Sequence, residues 1–285
     1  NYITGVGFPD GGEAWDKYWP ADLHVIGKDV VRFHAIYWPA FLMSAGIALP
    51  KQVFGHGWLL SRGEKMSKSV GNVVDPNDLV RAFGVDPLRY FLLREVTFGQ
   101  DGSYSAEAIV ARVNADLSNS FGNLAQRTLS FIARNCDGIL PIGGRQDPAD
   151  DALLTMVGEV TRKDLPGHFE ALALSQGIEA WLKAVFACNQ YIDSQAPWAL
   201  RKTDPERMNA VLATLYVAIR DLAIAISPVI PDSAARLLEQ MGVGEKERGF
   251  AALEDSTFYQ RLSGSGFRLA SPTPIFPRLE APAEA

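Results

Sequence analysis

The pattern of apolar positions along the chain changes once, near Ser105. Before that residue, short apolar runs are separated by turns. Residues 21–26 (ADLHVI) and 52–60 (QVFGHGWLL) have the composition of buried strands, and residues 29–45 follow helical spacing. Pro39 lies inside the helical stretch, where its missing N–H and its ring should kink the helix. The first part of the chain is therefore predicted to mix strands and helices.

Two Asp-Pro pairs mark further helix starts in this first part. Asp75 fits an N-cap and Pro76 the first helical position, while Gly84 should end that helix. The pair Asp86-Pro87 repeats the signal and predicts a helix over 87–95.

After Ser105 the strand signals disappear and long helical periods replace them. We predict helices at 105–135, 151–164, 168–194, 205–227 and 231–241. Consecutive amphipathic helices of this length indicate a helical bundle. Segment 136–150 is predicted to link the first two helices, and the pattern weakens after about residue 242.

Composition limits how such a chain could meet nucleic acid. The 285 residues carry a formal net charge of −6, so bulk charge does not favour RNA, and any RNA contact must come from individually placed residues. The two cysteines form no CxxC pair and no zinc spacing, and no run of 18 apolar residues predicts a membrane helix. The N-terminal Asn-Tyr-Ile-Thr-Gly shows no initiator Met and no signal-peptide pattern, so we expect the chain to begin inside a domain.

The first candidate for chemistry is the loop Lys65-Met66-Ser67-Lys68-Ser69, which follows a predicted strand. Two lysines can neutralise a polyphosphate, two hydroxyls can donate hydrogen bonds to it, and a flexible loop can close over it. From the residues alone, a solvated polar turn is about as good an interpretation.

The second candidate is the junction His24-Val25-Ile26-Gly27-Lys28-Asp29, where a strand meets a helix through a glycine. Ligands commonly bind at such junctions in α/β folds. Val30, His34 and Trp38 follow at spacings of four and share one helix face. A core stripe of an ordinary helix is the simpler alternative.

The third candidate lies in the helical part. Asn123 and Arg127 are four residues apart on one predicted helix face, and Trp198 follows Ala196-Pro197 after a later long helix. An exposed tryptophan can stack on an unpaired base. A solvated helix face is the alternative.

These strings together resemble one family. Residues 65–69 match the KMSKS signature of class I aminoacyl-tRNA synthetases letter for letter, and residues 24–40 resemble the HxxGKDxxxFHxxxWPA stretch of methionyl-tRNA synthetases. The resemblance implies an α/β remnant of a Rossmann-type catalytic domain plus a stem-contact (KMSKS) region, followed by an all-α anticodon-binding helical bundle. The segments it implies are 1–50 for the catalytic remnant, 51–104 for the KMSKS and stem-contact region, 105–245 for the anticodon-binding bundle and 246–285 for a C-terminal segment packing back on the core.

The resemblance also implies roles for individual residues. The catalytic residues would be Lys65, Ser67, Lys68 and Ser69, with Lys68 stabilising the triphosphate as pyrophosphate leaves. ATP would be bound by Gly27, Asp29, His56 and Lys68, and the methionine pocket formed by Tyr2, Ile26, Val30, His34 and Trp38. Anticodon bases would be read by Asn123, Arg127 and Trp198. His56 and Tyr2 have structural alternatives, a histidine without a ligand role and a terminal residue without a fixed partner.

The implied function is a methionine-tRNA ligase that uses ATP with Mg²⁺, L-methionine and tRNA(Met), including initiator tRNA. A cytoplasmic monomer is expected, with no membrane contact and no zinc in this segment. One departure is large, because the HIGH signature and the first half of the nucleotide-binding fold do not occur in the sequence. We therefore expect the chain alone to be inactive in catalysis. The alternatives are a tRNA anticodon-binding module without catalysis, and another class I synthetase or a nucleotidyltransferase sharing the lysine loop.

Overall fold

The computed structural model describes residues 1–67, 69 and 71–280, and these form two compact units. The first unit comprises Asn1–Val73 and Thr97–Tyr104, and the second comprises Val74–Val96 and the chain from Ser105 onward. Two helices that precede Ser105 in sequence thus belong to the mainly helical unit. The functional boundaries at 50, 104 and 245 stay predictions.

The first unit contains two small sheets. Strand β1 (His24–Gly27) pairs in parallel with β2 (Val53–His56), so that His24 lies opposite Val53 and Gly27 opposite His56. The second sheet places β3 (Leu59–Ser61) between the antiparallel β4 (Glu64–Lys65) and the parallel β5 (Gly102–Tyr104). Its α-helices are α1 (Tyr2–Gly5), α2 (Glu13–Tyr18) and α3 (Trp38–Ser44).

The single strand predicted over 52–60 is wrong, because Gly57 and Trp58 separate β2 from β3. At Gly57 the backbone runs so close to the segment that contains Gln100 that an added Cβ would lie 2.2 Å from the Gln100 carbonyl oxygen. Only glycine permits that approach, which lets the chain leave one sheet and enter the next.

The helix predicted over 29–45 is present but irregular. It begins with a 3-10 turn (Lys28–Val30) and widens into a π-helical stretch (Phe33–Tyr37) immediately before α3. Pro39 occupies the second position of α3, where it has no N–H to donate to the preceding turn. The irregularity expected from Pro39 therefore takes the form of widened backbone turns upstream of it.

The second unit is a bundle of eleven α-helices within the described residues, several of them joined by π-helical turns at Asn114–Gly122 and Val160–Asp164. The helices are α4 (Pro76–Phe83), α5 (Val85–Arg94), α6 (Ala106–Val113), α7 (Asn123–Asn135), α8 (Pro148–Glu159), α9 (Leu165–Glu170), α10 (Leu174–Gln195), α11 (Pro197–Thr203), α12 (Pro205–Ile226), α13 (Pro231–Gln240) and α14 (Phe258–Gly264). Two short 3-10 turns, Glu245–Glu247 and Phe250–Glu254, precede α14.

Three predicted helix boundaries in the bundle are wrong. The helix predicted over 87–95 begins at Val85, with Gly84 rather than Asp86 at the N-cap position. The helix predicted over 168–194 is two helices, because Leu172 adopts a left-handed φ of 59° between α9 and α10. The helix predicted from 151 starts at Pro148, since Asp147 caps it and forms a capping box with Asp150. The short helix α11, which carries Trp198, was not predicted.

Helix α12 forms the centre of the bundle and is buried along most of its length. It is the one helix in the described part of the chain that is long and apolar enough to cross a membrane, and 83% of its apolar window is buried inside the protein. Trp181 of α10 is fully buried against it and donates from Nε1 to the Leu222 carbonyl over 3.0 Å. Its apolarity is explained by this central position.

The C-terminal segment packs against the bundle. Asn114 accepts from the Leu279 backbone N–H at 2.8 Å and donates to the Leu279 carbonyl at 2.9 Å. Gln240 binds the backbone of Thr273 in the same way, with its amide oxygen accepting at 2.8 Å. These pairs hold an extended segment along α13 and the π-helical turn at Asn114–Gly122.

Candidate functional sites

In the first unit, an aromatic cluster forms around Tyr2, His34 and Trp38. The Tyr2 hydroxyl lies 2.8 Å from His34 Nε2, and His34 Nδ1 lies 3.0 Å from the Val30 carbonyl oxygen. A carbonyl only accepts, so Nδ1 donates to it, and the Tyr2 hydroxyl is hydrogen-bonded to the other ring nitrogen. The predicted pocket residues Tyr2, Val30, His34 and Trp38 are therefore brought together.

Three further aromatic residues, which the sequence prediction missed, complete this cluster. The His24 ring lies 4.6 Å from the Tyr2 ring between centroids, Trp19 packs edge-on to Trp38 at 6.2 Å, and Trp15 stacks on Trp19 at 5.9 Å. The one available signal was the density of aromatic residues before residue 24. Together the rings form an apolar wall of the kind on which a thioether packs well.

The polar atoms inside the cluster are few. His24 is buried, and burial followed by the charge of His34 lowers the pKa of its imidazole. His24 Nε2 and Trp38 Nε1 are buried without a hydrogen-bond partner among the described residues. The lowered pKa favours the neutral form of the His24 imidazole. Ile26, the remaining predicted pocket residue, is buried on β1.

The predicted nucleotide-binding residues lie at the ends of β1 and β2. Gly27 and His56 are register partners in the parallel pair, so the strand pairing itself brings them together. A Cβ on Gly27 would lie 2.5 Å from the carboxylate of the exposed Asp29, so the acid lies directly beside the glycine. His56 is exposed, and its Nδ1 lies 2.8 Å from the Gly57 carbonyl. Its contact with ATP stays a prediction.

A charged bridge lies behind this junction. Lys28 Nζ donates to both carboxylate oxygens of Asp101, at 2.6 and 2.8 Å, and the Trp58 backbone N–H donates to the same carboxylate at 2.8 Å. The hydrogen bond from Lys28, followed by that from Trp58, holds the pKa of Asp101 below its usual value. The Lys65 ammonium lies 4.0 Å from the centroid of the Trp58 ring, a cation–π contact. The bridge therefore connects the glycine junction to the start of the lysine loop.

The lysine loop is organised by a residue that the sequence prediction did not select. Asn72 accepts from the Ser67 backbone N–H at 2.8 Å and donates to the Lys65 carbonyl at 3.2 Å. The hydroxyls of Ser67 and Ser69 lie 2.7 Å apart. Both hydroxyls are thus close enough to bind one oxyanion group. Lys68, the predicted catalytic lysine, lies outside the described residues.

In the helical unit, Arg127 contacts Trp198. The Arg127 guanidinium lies 5.5 Å from the centroid of the Trp198 ring and donates to the Asp193 carboxylate at 2.5 Å. Trp198 is 48% exposed and lies two residues after Ala196, whose φ of 43° and ψ of 63° turn the chain between α10 and α11. Asp193 was missed, because its pairing with α7 depends on how the helices pack.

Asn123 lies one turn before Arg127 on α7 and is exposed. Beside it, a groove of about 410 Å³ runs between the helix and the C-terminal segment, lined by Asn119, Gln126 and Phe276. Exposed amides, a guanidinium and a half-exposed indole are the groups that bind base edges and base faces in single-stranded RNA. The arrangement suits an unpaired loop.

Comparison with known families divides the chain into two matched parts. Residues 1–129 match the model described as tRNA synthetases class I (M), and residues 140–283 match the anticodon binding domain of methionyl tRNA ligase.

Individual relatives match the chain over nearly its whole length. The chain is 52% identical over 287 residues to the methionine–tRNA ligase of Mycobacterium tuberculosis strain H37Rv and 53% identical over 281 residues to that of Brucella suis. The two matches include 99% and 98% of this chain but only 54% and 53% of the relatives. The chain therefore spans about half the length of these relatives. A solved structure of Mycobacterium tuberculosis methionyl-tRNA synthetase in complex with methionyl-adenylate superimposes with a TM-score of 0.87 at 50% identity, covering 98% of this chain and 54% of that one.

Proposed function

The chain belongs to the methionyl-tRNA synthetase family, and we propose that it supplies the lysine loop, part of the methionine pocket and the anticodon-binding bundle of a methionine-tRNA ligase. One observation carries this proposal. The two family models divide the chain between them, the aromatic cluster lies within the part matched by the class I synthetase model, and Trp198 lies within the part matched by the anticodon-binding model, where it contacts Arg127 near the end of the first match.

The proposed reaction has two steps. The methionine carboxylate attacks the α-phosphate of ATP and displaces pyrophosphate. The terminal ribose of tRNA(Met) then attacks the carbonyl carbon of the adenylate, and AMP leaves. Enzymes of this type act by positioning the reactants and stabilising developing charge.

In the first unit, one set of residues would bind methionine and another set would bind ATP. Tyr2, His34 and Trp38 would enclose the thioether of L-methionine, with Ile26 and Val30 beside them. The hydrogen bond between His34 Nδ1 and the Val30 carbonyl would fix the orientation of the imidazole ring beside the methionine side chain.

The phosphates and the ribose of ATP would lie on the other side of the glycine junction. Gly27 permits close approach of the ribose and Asp29 can accept from its hydroxyls. Lys65, Ser67 and Ser69 would contact the triphosphate that arrives with Mg²⁺. Lys68 would stabilise the departing pyrophosphate, and this role rests on the family motif alone.

A second candidate function follows from the length of the relatives. Since the chain spans about half of them, we propose that it binds the CAU anticodon of tRNA(Met) while lacking catalysis by itself. Methionine-dependent exchange between ATP and pyrophosphate should then be absent. Exchange by this 285-residue chain would contradict that part of the proposal.

Binding to a CAU anticodon stem-loop tests the RNA half. Trp198→Ala should weaken binding by ~1–3 kcal/mol through the loss of a stacked base. Arg127→Ala should also weaken it, because the guanidinium that contacts the ring is removed. Phe250→Ala is the matched control, since Phe250 is an exposed aromatic residue in a distant part of the same unit's sequence. Equal binding by all variants, or equal binding of a stem-loop with a scrambled anticodon, would show that these residues are ordinary surface.

A further inference from the structure

A second group of cations lies at the C-terminal end of α7. Arg201 donates from Nη1 to the Asn135 side-chain oxygen at 2.5 Å, and Arg268 donates from Nη1 to the Asp137 carbonyl at 2.9 Å. Arg134 is exposed on the last turn of the same helix. The two acceptors, Asn135 and Asp137, are two residues apart at the end of α7. The structure therefore places three arginines around one helix end. We call Arg134, Arg201 and Arg268 the arginine strip.

The charge of the arginine strip is not neutralised within the part of the chain that the structure describes. None of its three members forms an ion pair there, whereas Arg127, Arg145 and Arg261 each pair with a carboxylate. Arg268 contacts the acidic residue Asp137 through the backbone carbonyl of that residue. In a chain of net charge −6, three unpaired arginines at one place form a local positive potential.

The arginine strip continues the candidate anticodon site. Arg201 follows Trp198 by three residues on α11, and Arg134 follows Arg127 by seven on α7, so each lies on the same helix face as its partner in the Arg127–Trp198 contact. Helices α7 and α11 together carry four cationic residues and no acidic one. RNA that stacks a base on Trp198 would therefore extend its backbone over a surface of positive charge.

We propose that the arginine strip binds backbone phosphates of the anticodon stem, without reading bases. This rests on the proposed anticodon-binding function and adds a second, sequence-independent contact to it. Phosphate contacts fix the orientation of a nucleic acid and supply salt-dependent affinity, while base contacts supply specificity. A net acidic chain needs such a surface, because its overall charge repels RNA.

A purely structural role makes a different prediction. Cations at the end of a helix also stabilise it through the helix dipole and by binding its last carbonyls. In that case replacing the arginines would lower the melting temperature and leave the dependence of RNA binding on salt unchanged. The two roles are separated by measuring both quantities.

The experiment measures binding of this chain to a CAU stem-loop and to the same stem with a scrambled loop, over a series of salt concentrations. Arg134→Gln, Arg201→Gln and Arg268→Gln should each reduce the slope of log K against log [salt] by about 1. Each should weaken both RNAs by the same factor. Arg201→Lys should keep the slope, because it keeps the charge. Arg261→Gln is the control, since Glu247 and Asp255 already neutralise that arginine.

Each outcome decides between the two claims. If all three arginines are replaced by Gln and the salt slope is unchanged, the proposal that the arginine strip binds phosphates is overturned. In that case, discrimination of the CAU loop from the scrambled loop by the unmodified chain would still support the anticodon site. A loss confined to the CAU loop would also overturn the proposal, since the arginines would then read bases. If the unmodified chain binds neither RNA, the proposed function fails and the arginine strip fails with it.

Discussion

At the scale of single residues, Asp221 couples the stability of the helical unit to pH. Its side chain is buried on α12, and burial raises the pKa of its carboxyl to about 6 although Arg220 and Arg162 act in the opposite direction and Glu254 adds to the rise. An ordinary aspartate in the unfolded chain has a pKa of about 3.9. Between these values the folded state binds a proton that the unfolded state has released.

Stability should therefore fall as pH rises from about 4 to above 6. The contribution of Asp221 to the free energy of unfolding should decrease by about 3 kcal/mol across that window, from about 1.4 kcal/mol per pKa unit. Asp221→Asn removes the titrating group and should flatten this part of the profile. Urea unfolding followed by far-UV circular dichroism at several pH values measures the effect.

Asp255 provides the matched control for this measurement. Hydrogen bonds from Thr257 and Arg261 lower the pKa of its carboxyl to about 2, so any stability that it contributes is present above pH 4 and is lost only in stronger acid. Asp255→Asn should leave the window between pH 4 and 6 unchanged. An equal flattening by both variants would contradict the assignment to Asp221.

The candidate site shows which residue-level features sequence can predict. Tyr2, His34 and Trp38 were selected through the family motif, and the structure brings them together. His24 and Asp193 were missed for a physical reason. A histidine within a strand and an acid within a helix give no local sign of a partner on another element, and the partner defines their role.

At the scale of elements, one buried ion pair holds three helices of the bundle together. Arg207 of α12 donates to both oxygens of Asp150 on α8, at 2.5 and 2.6 Å, and to the Gln195 side chain on α10 at 2.7 Å. Tyr191 of α10 donates its hydroxyl to the same carboxylate. Burial alone would raise the pKa of Asp150, but the hydrogen bonds from Arg207 and Tyr191 outweigh it and lower the pKa. The carboxylate therefore stays charged in the core.

Removing one partner of this pair should be strongly destabilising. Side chains of Asp150 and Arg207 are only 3% and 7% exposed, so Asp150→Ala leaves a buried guanidinium without its counter-charge. We expect a loss of about 3–5 kcal/mol in the free energy of unfolding. Asp147→Ala, which removes the N-cap of the same helix α8, should lose only about 1 kcal/mol. Similar losses in both variants would mean that Asp150 acts only through the helix cap.

Some helix boundaries have a local signal in the sequence and others do not. Asp75 caps α4 as predicted, with its carboxylate accepting from the Asn77 N–H at 2.8 Å, because Asp-Pro is a local signal. The break before α10 has no such signal. Leu172 takes a left-handed conformation there, which its side chain disfavours, at the point where the chain turns from α9 to pack α10 against it. The π-helical stretch before Pro39 likewise depends on backbone accommodation that periodicity cannot reveal.

At the scale of the whole molecule, the two units differ in how much apolar surface each one buries. In the helical unit, most residues of α12 are buried on every side. In the first unit, Phe41 and Met43 are 65% and 69% exposed on the helix that follows the aromatic cluster, and the sheet that carries the glycine junction has two parallel strands. Parallel strands are usually stabilised by cover on both faces.

Local stability should follow this difference, because resistance to opening depends on buried apolar contacts. We predict that backbone amides of β1 and β2 exchange with deuterium at lower protection than amides of α10 and α12 in the same chain. Peptide-resolved hydrogen exchange measures both units in one experiment, which makes α12 an internal control. Equally slow exchange in the two regions would show that the small sheet is as stable as the bundle. Faster exchange of the sheet would mean that the residues predicted to bind methionine and nucleotide lie on the less stable unit, whereas Arg127 and Trp198 lie on the more stable bundle.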